Sequence, residues 1–61
     1  MNSYYQILQI QSDGSSIQIG TETDLTVPIS TIIASNPMAT SIELFNPLLG
    51  SNEIIWSAPK N

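Results

Sequence analysis

Apolar and polar residues alternate along the first third of the chain in a way that predicts a β-hairpin over about residues 4–20. Asp13-Gly14 sits at its centre, a dipeptide suited to a two-residue type I′ turn because Gly accepts φ > 0 without steric cost. Such a loop pairs Ile10 with Ile17, Gln9 with Gln18 and Leu8 with Ile19. Directly opposed residues share a face. One side of the predicted ribbon is then Leu8, Ile10, Ile17 and Ile19, and the other is Gln9, Gln11, Ser16 and Gln18. A slip of one residue sets Ile10 against Ser16 and Ile17 against Gln9, which mixes the two faces.

Further on, Leu25, Val27, Ile29, Thr31 and Ile33 recur at period two, the spacing of a strand. Pro28 cannot donate to a ladder, so residues 25–35 are read as an edge strand or a broken one. A short helix capped by Ser30 over 31–35 is the alternative. Paired β-branched residues and a first turn without acidic side chains weigh against it. Asn36-Pro37 marks a turn. Residues 41–46 and 53–58 form a second hairpin, about 41–58, whose connection runs from Asn46-Pro47 to Gly50-Ser51-Asn52. Pairing Asn46 with Asn52 sets Leu44 opposite Ile54 and Ile42 opposite Trp56, which assigns Trp56 to the core. Phe45 and Glu43 fall on a half-polar back face. Ala58-Pro59-Lys60-Asn61 reads as a tail. The predicted fold is a single small all-β domain over residues 1–61. Its architecture is an antiparallel sandwich or open barrel of four to six strands, two hairpins joined by an edge strand.

Composition supports the strands. Ile occurs ten times, Ser nine, and Thr and Asn five each, while charged residues make up only 10%. Globular chains carry about a quarter charged residues, and disordered ones usually carry a high net charge. There is no Cys, hence no disulfide framework and no thiolate metal site. A chain of 61 residues without such staples needs very good packing or a partner surface. No stretch has the length of a spanning helix or the basic-then-apolar shape of a secretion signal.

The net charge of −4 changes the picture of partners, because Lys60 is the sole basic side chain. Phosphate neutralisation requires Lys and Arg, so nucleic-acid contact is not expected, nor is docking of a basic patch on a membrane. His is absent as well, which removes the commonest general base. Glu22 and Asp24, two apart, would share a strand face and suit an acid–base pair or a hard cation. A solvated strand end explains them more simply, and no calcium-loop spacing surrounds them. Asp13 belongs to its turn. The expectation is a protein with no catalytic residues, no metal and no cofactor.

The candidate site is therefore an interface. Gln9, Gln11 and Gln18, with Gln6, offer a neutral hydrogen-bonding surface that is less costly to desolvate than charged groups, although they would equally coat a solvent face. Leu48 and Leu49 lie in a connection where polar residues are the rule, and either fold back on the core or anchor in a neighbour. Tyr4 and Tyr5 each combine an apolar body with a polar tip. Strand edges with so few charges are poorly defended against strand addition. These features point to a small structural protein of a symmetric assembly, with a virion component such as a capsid decoration, cement, or tail or fibre joint as the favoured case. Its partners would be itself, as a homo-oligomer, and/or larger structural proteins of the same particle. The other class of reading is a soluble binding module or inhibitor of a host protein that uses its acidity. Strong salt dependence of binding separates that second reading from the first.

Overall fold

The interior of the protein is one face of a β-sheet pressed under about two turns of helix. The structure, a computed structural model, describes residues 2–59. Four strands, β1 (Tyr4–Ile10), β2 (Ser16–Glu22), β3 (Ser41–Asn46) and β4 (Ser51–Ser57), form one antiparallel sheet in the order β2-β1-β3-β4. One helix, α1 (Ile29–Ser35), lies between the hairpins in sequence. The molecule is all-β in its sheet, and the sheet is open: it neither closes into a barrel nor packs on a second sheet. Both predicted hairpins are present, β1–β2 and β3–β4, and the long connection between them places β1 beside β3.

The register of the first hairpin differs from the predicted one. Ile10 opposes Ser16, Gln9 opposes Ile17 and Leu8 opposes Gln18. A type I′ turn needs φ > 0 at Asp13 as well as at Gly14, and among the described residues only Gly14 and Gly50 have positive φ. The loop instead has three residues, Ser12-Asp13-Gly14. Gly14 N donates to Gln11 O at 3.0 Å and Gln11 N to Ser15 O at 2.7 Å, with Gly14 at φ 89° in the left-handed position of a bulged hairpin. This loop spares Asp13 the left-handed conformation. It also frees its carboxylate to bind Ser15. The predicted apolar group is consequently divided: Ile17 shares a face with Ile7, while Leu8 and Ile10 lie on the opposite face. A β-bulge in β2 then restores part of the pattern, bringing Ile19 against the core and setting Gly20 opposite Ile7.

The predicted edge strand over 25–35 is instead a helix from Ile29 to its end, so the helical alternative over 31–35 is the one that forms, beginning two residues earlier. Ile29, Ile32 and Ile33 follow i, i+3, i+4 spacing, so one helical face gathers all three onto the sheet. Pro28, not Ser30, is the N-cap, at φ −62° and ψ 145°. Its carbonyl accepts from Thr31 N at 3.0 Å and Ile32 N at 3.2 Å. No side chain caps this terminus. At the other end the Asn36 amide Nδ2 donates back to Ile32 O at 2.8 Å, and Pro37-Met38 form the anticipated turn.

The buried residues are Ile7, Ile42, Ile32 and Ala39, with Ile42 at 0% exposure. Ile7 and Ile42 oppose each other across β1 and β3, the two central strands. Tyr5, Ile19, Val27, Ile29, Ile33 and Trp56 pack around them. Ile42 opposes Trp56, as predicted, but a bulge follows and the rest of the second hairpin is shifted. Leu44 faces Glu53 and Glu43 faces Ile54. The chain past β4 stays attached at Ala58, whose N donates to Thr40 O at 2.8 Å; Lys60 and Asn61, predicted as tail, lie outside the described residues.

Truncating Ile42 to Ala removes a fully enclosed side chain from between helix and sheet. The expected loss is about 2–5 kcal/mol, much of what a small domain possesses. Ile54→Ala, at a site 65% exposed, should cost under about 1 kcal/mol. Urea denaturation followed by the single Trp checks both; equal losses would mean that the core is misplaced.

Candidate docking surface

Each connection of this fold is held by a side chain of its own. At the first hairpin Asp13 Oδ1 accepts from Ser15 N at 2.9 Å and from Ser15 Oγ at 2.6 Å. The connection after β2 repeats the device. Asp24 Oδ1 accepts from Thr26 N at 2.9 Å and Thr26 Oγ1 at 2.6 Å, and Glu22 Oε2 accepts from Asp24 N at 3.0 Å. Glu22 and Asp24 therefore do not share a strand face, since Asp24 lies beyond the end of β2. Their hydrogen bonds are those of turn-forming carboxylates. No group of three or more potential metal ligands occurs among the described residues, and no cavity is present among them.

Both aspartates are held below the ordinary carboxylate value of 3.8. For Asp13 the Ser15 hydroxyl contributes most and the Ser15 amide next; for Asp24 the Thr26 hydroxyl and then the Thr26 amide play the same parts. A carboxyl with a depressed folded-state pKa stabilises the protein above its unfolded value and loses that contribution as pH falls through its folded value.

What the structure offers a partner is surface. Among the described residues, no element covers the face of the sheet away from α1. Opposed pairs place Tyr4 with Phe45, Gln6 with both Glu43 and Thr21, Leu8 with Ser41 and Gln18, and Glu43 with Ile54 on this outer face. The Tyr4 and Phe45 rings are tilted at 59° with centroids 5.5 Å apart, a geometry that aromatic quadrupoles favour. At one end of the sheet the β3–β4 connection, Pro47 to Gly50, projects as a tip. Gly50 N donates to Asn46 O at 2.7 Å, and Asn46 Oδ1 accepts from Leu48 N at 3.0 Å and, more weakly, Leu49 N at 3.4 Å. The tip is thus braced by Asn46 while its two leucines stand 79% and 77% exposed. They do not fold back over the core.

The anticipated interface residues are dispersed. Tyr4 lies on the outer face and Tyr5 on the inner one, packed against the core. Gln18 is on the outer face, where its amide Nε2 donates to Thr21 Oγ1 at 2.6 Å, but Gln9 is opposite Ile17 on the inner side. Gln11 closes the first hairpin through its backbone. No continuous glutamine surface exists, because the register slip turned Gln9 and Gln18 to opposite faces. Leu48 and Leu49 lie at the far tip. The residues that share the outer face with Tyr4, Gln6 and Gln18 are Leu8, Glu43, Phe45 and Ile54. The half-polar back face predicted for the second hairpin was the visible sign of Phe45 and Glu43; Leu8 and Ile54 were predicted on the apolar faces of their hairpins. No family model, curated protein or solved structure matches this chain.

Replacing Ser15 by Ala should raise the Asp13 pKa toward 3.8, and Thr26→Ala should do the same for Asp24. In each variant acid destabilisation should set in at higher pH and neutral-pH stability should fall. Carboxyl titration by NMR checks the first effect and pH-dependent urea unfolding the second; unmoved titrations would disprove the role of the hydroxyls.

Proposed function

We propose that this chain is a non-catalytic structural subunit of a symmetric assembly, with a virion component, such as a decoration or cement protein or a tail or fibre joint, as the favoured setting. It acts by packing onto other structural proteins of the particle, onto further copies of itself, or both, and it needs no cofactor. The observation that carries this reading is the balance of apolar surface. Among the described residues four are buried, whereas eight large apolar side chains are exposed. Isolated exposed hydrophobes are ordinary; two adjacent leucines braced at a hairpin tip make a contiguous apolar patch suited to a partner's surface. A stable interface takes about 800 Å² from each partner, about a fifth of the 4275 Å² accessible here. The low charge of the chain fits a molecule whose surface is largely covered, since charged side chains are depleted at interface cores.

Among the described residues, no helix is long and apolar enough to cross a membrane.

The test is the mass and composition of the native complex. The chain should isolate in fixed stoichiometry with a larger structural protein or as a closed oligomer, and the association should tolerate salt because apolar contact dominates. Recovery as a lone monomer from its native source would overturn the reading, and dissociation by moderate salt would favour an acidic inhibitor. Leu48→Asn together with Leu49→Asn should leave stability within about 0.5 kcal/mol yet weaken incorporation by about tenfold or more; unchanged incorporation would remove the tip from the interface.

A further inference from the structure

The outer face of the sheet is large enough to dock on, and its charge restricts what can dock there. Four strands about 4.8 Å apart, with six or seven residues rising about 3.3 Å each, span roughly 19 by 22 Å. Covering such a pleated face buries on the order of 1,200 Å² over two partners, the lower bound for a specific interface. Tyr4, Phe45, Leu8 and Ile54 supply its apolar area, with Gln6 and other neutral polar groups between them. One carboxylate, Glu43, stands near the middle, opposite Gln6 on β1 and Ile54 on β4.

Two copies meeting face to face would stack their sheets about 10 Å apart. A twofold axis between Gln6 and Glu43 then sets each Glu43 against the Gln6 of the other copy, and brings the two carboxylates within about 10 Å in a dehydrated layer. The strands contain no cation to offset them, because the chain has no Arg and only Lys60. Building on the assembly reading above, we propose that the outer face docks a different protein, one that presents an Arg or Lys within an apolar patch. Glu43 pairs with that cation and, by the same charge, keeps a second copy from seating there.

The E43K variant of this chain serves as the surrogate partner, since it keeps the apolar face and places a cation at its centre. Fluorinated phenylalanine in the wild-type chain labels a single site, Phe45, on that face. Wild type alone and E43K alone should show no concentration-dependent fluorine shift. Their mixture should give a saturable one-to-one shift at concentrations where neither alone shifts. Leu48→Asn with Leu49→Asn removes association through the leucine tip and should leave the shift of the mixture unchanged. A second variant, Gln6→Lys, brings a cation opposite the Glu43 of a twin and should self-associate through the face; it carries the test if circular dichroism shows E43K unfolded. A wild-type shift on concentration would overturn the proposal by showing that a second copy sits there, and so would silence of both the mixture and Gln6→Lys. A native monomer would sink the assembly reading without moving any of these signals.

Discussion

A helix of seven residues has to cover a sheet of four strands, and most features of this protein follow from that mismatch. At about 1.5 Å per residue and about 10 Å across, α1 shades little more than two strands of a sheet roughly 19 Å wide. Full burial is accordingly confined to the midline, where Ile7 of β1 meets Ile42 of β3 beneath Ile32. Away from it the cover thins. Trp56 on β4 is only half-buried, and Ile17 on β2, although it shares the inner face, remains 47% exposed. At Gly20 the space over β2 is close-packed: a Cβ there would stand 3.3 Å from Ile7 Cδ1, a tight contact, and 3.5 Å from Asn36 Oδ1, an ordinary one.

Turn chemistry compensates for the small interior. Asp13, Asp24 and Asn46 each accept hydrogen bonds from the backbone two residues on, which restricts the loops locally at little cost in long-range contacts. Thr40 performs the corresponding service at the sheet end. Its N donates to Leu8 O, its hydroxyl accepts from Ile10 N, and its carbonyl accepts from Ala58 N, so one residue joins β1 to the close of β4. Such devices define a shape without supplying a large core. That shape leaves one sheet face, two strand edges and a leucine tip for other molecules.

These free surfaces differ in chemistry. The tip is aliphatic and braced. The edges, β2 and β4, carry few charges, but each contains a bulge, which twists an edge away from flat pairing. The outer face alone combines aromatic area with a central charge. A subunit that meets unlike neighbours through unlike surfaces would use such a division, and the near absence of basic residues makes like-with-like contact at Glu43 unfavourable.

The existence of four strands, both hairpins, the Asn36-Pro37 turn, the extent of β3 and the Ile42–Trp56 pairing were legible along the chain, because period-two alternation and turn residues act over a few positions. Register was not. Asp13-Gly14 admits either a two-residue or a three-residue loop, and the difference of one residue exchanges the environments of Leu8, Ile10, Gln9 and Gln18. Nor was the choice between strand and helix over 25–35: Val27, Ile29 and Ile33 satisfy a strand period, and Ile29, Ile32 and Ile33 a helical one. Local sequence determined where the backbone extends and where it turns. Only the packing of Ile7 and Ile42 under α1 decided which side of each strand became the interior, because burial is settled between elements distant in the chain and alternation alone does not say which phase faces in.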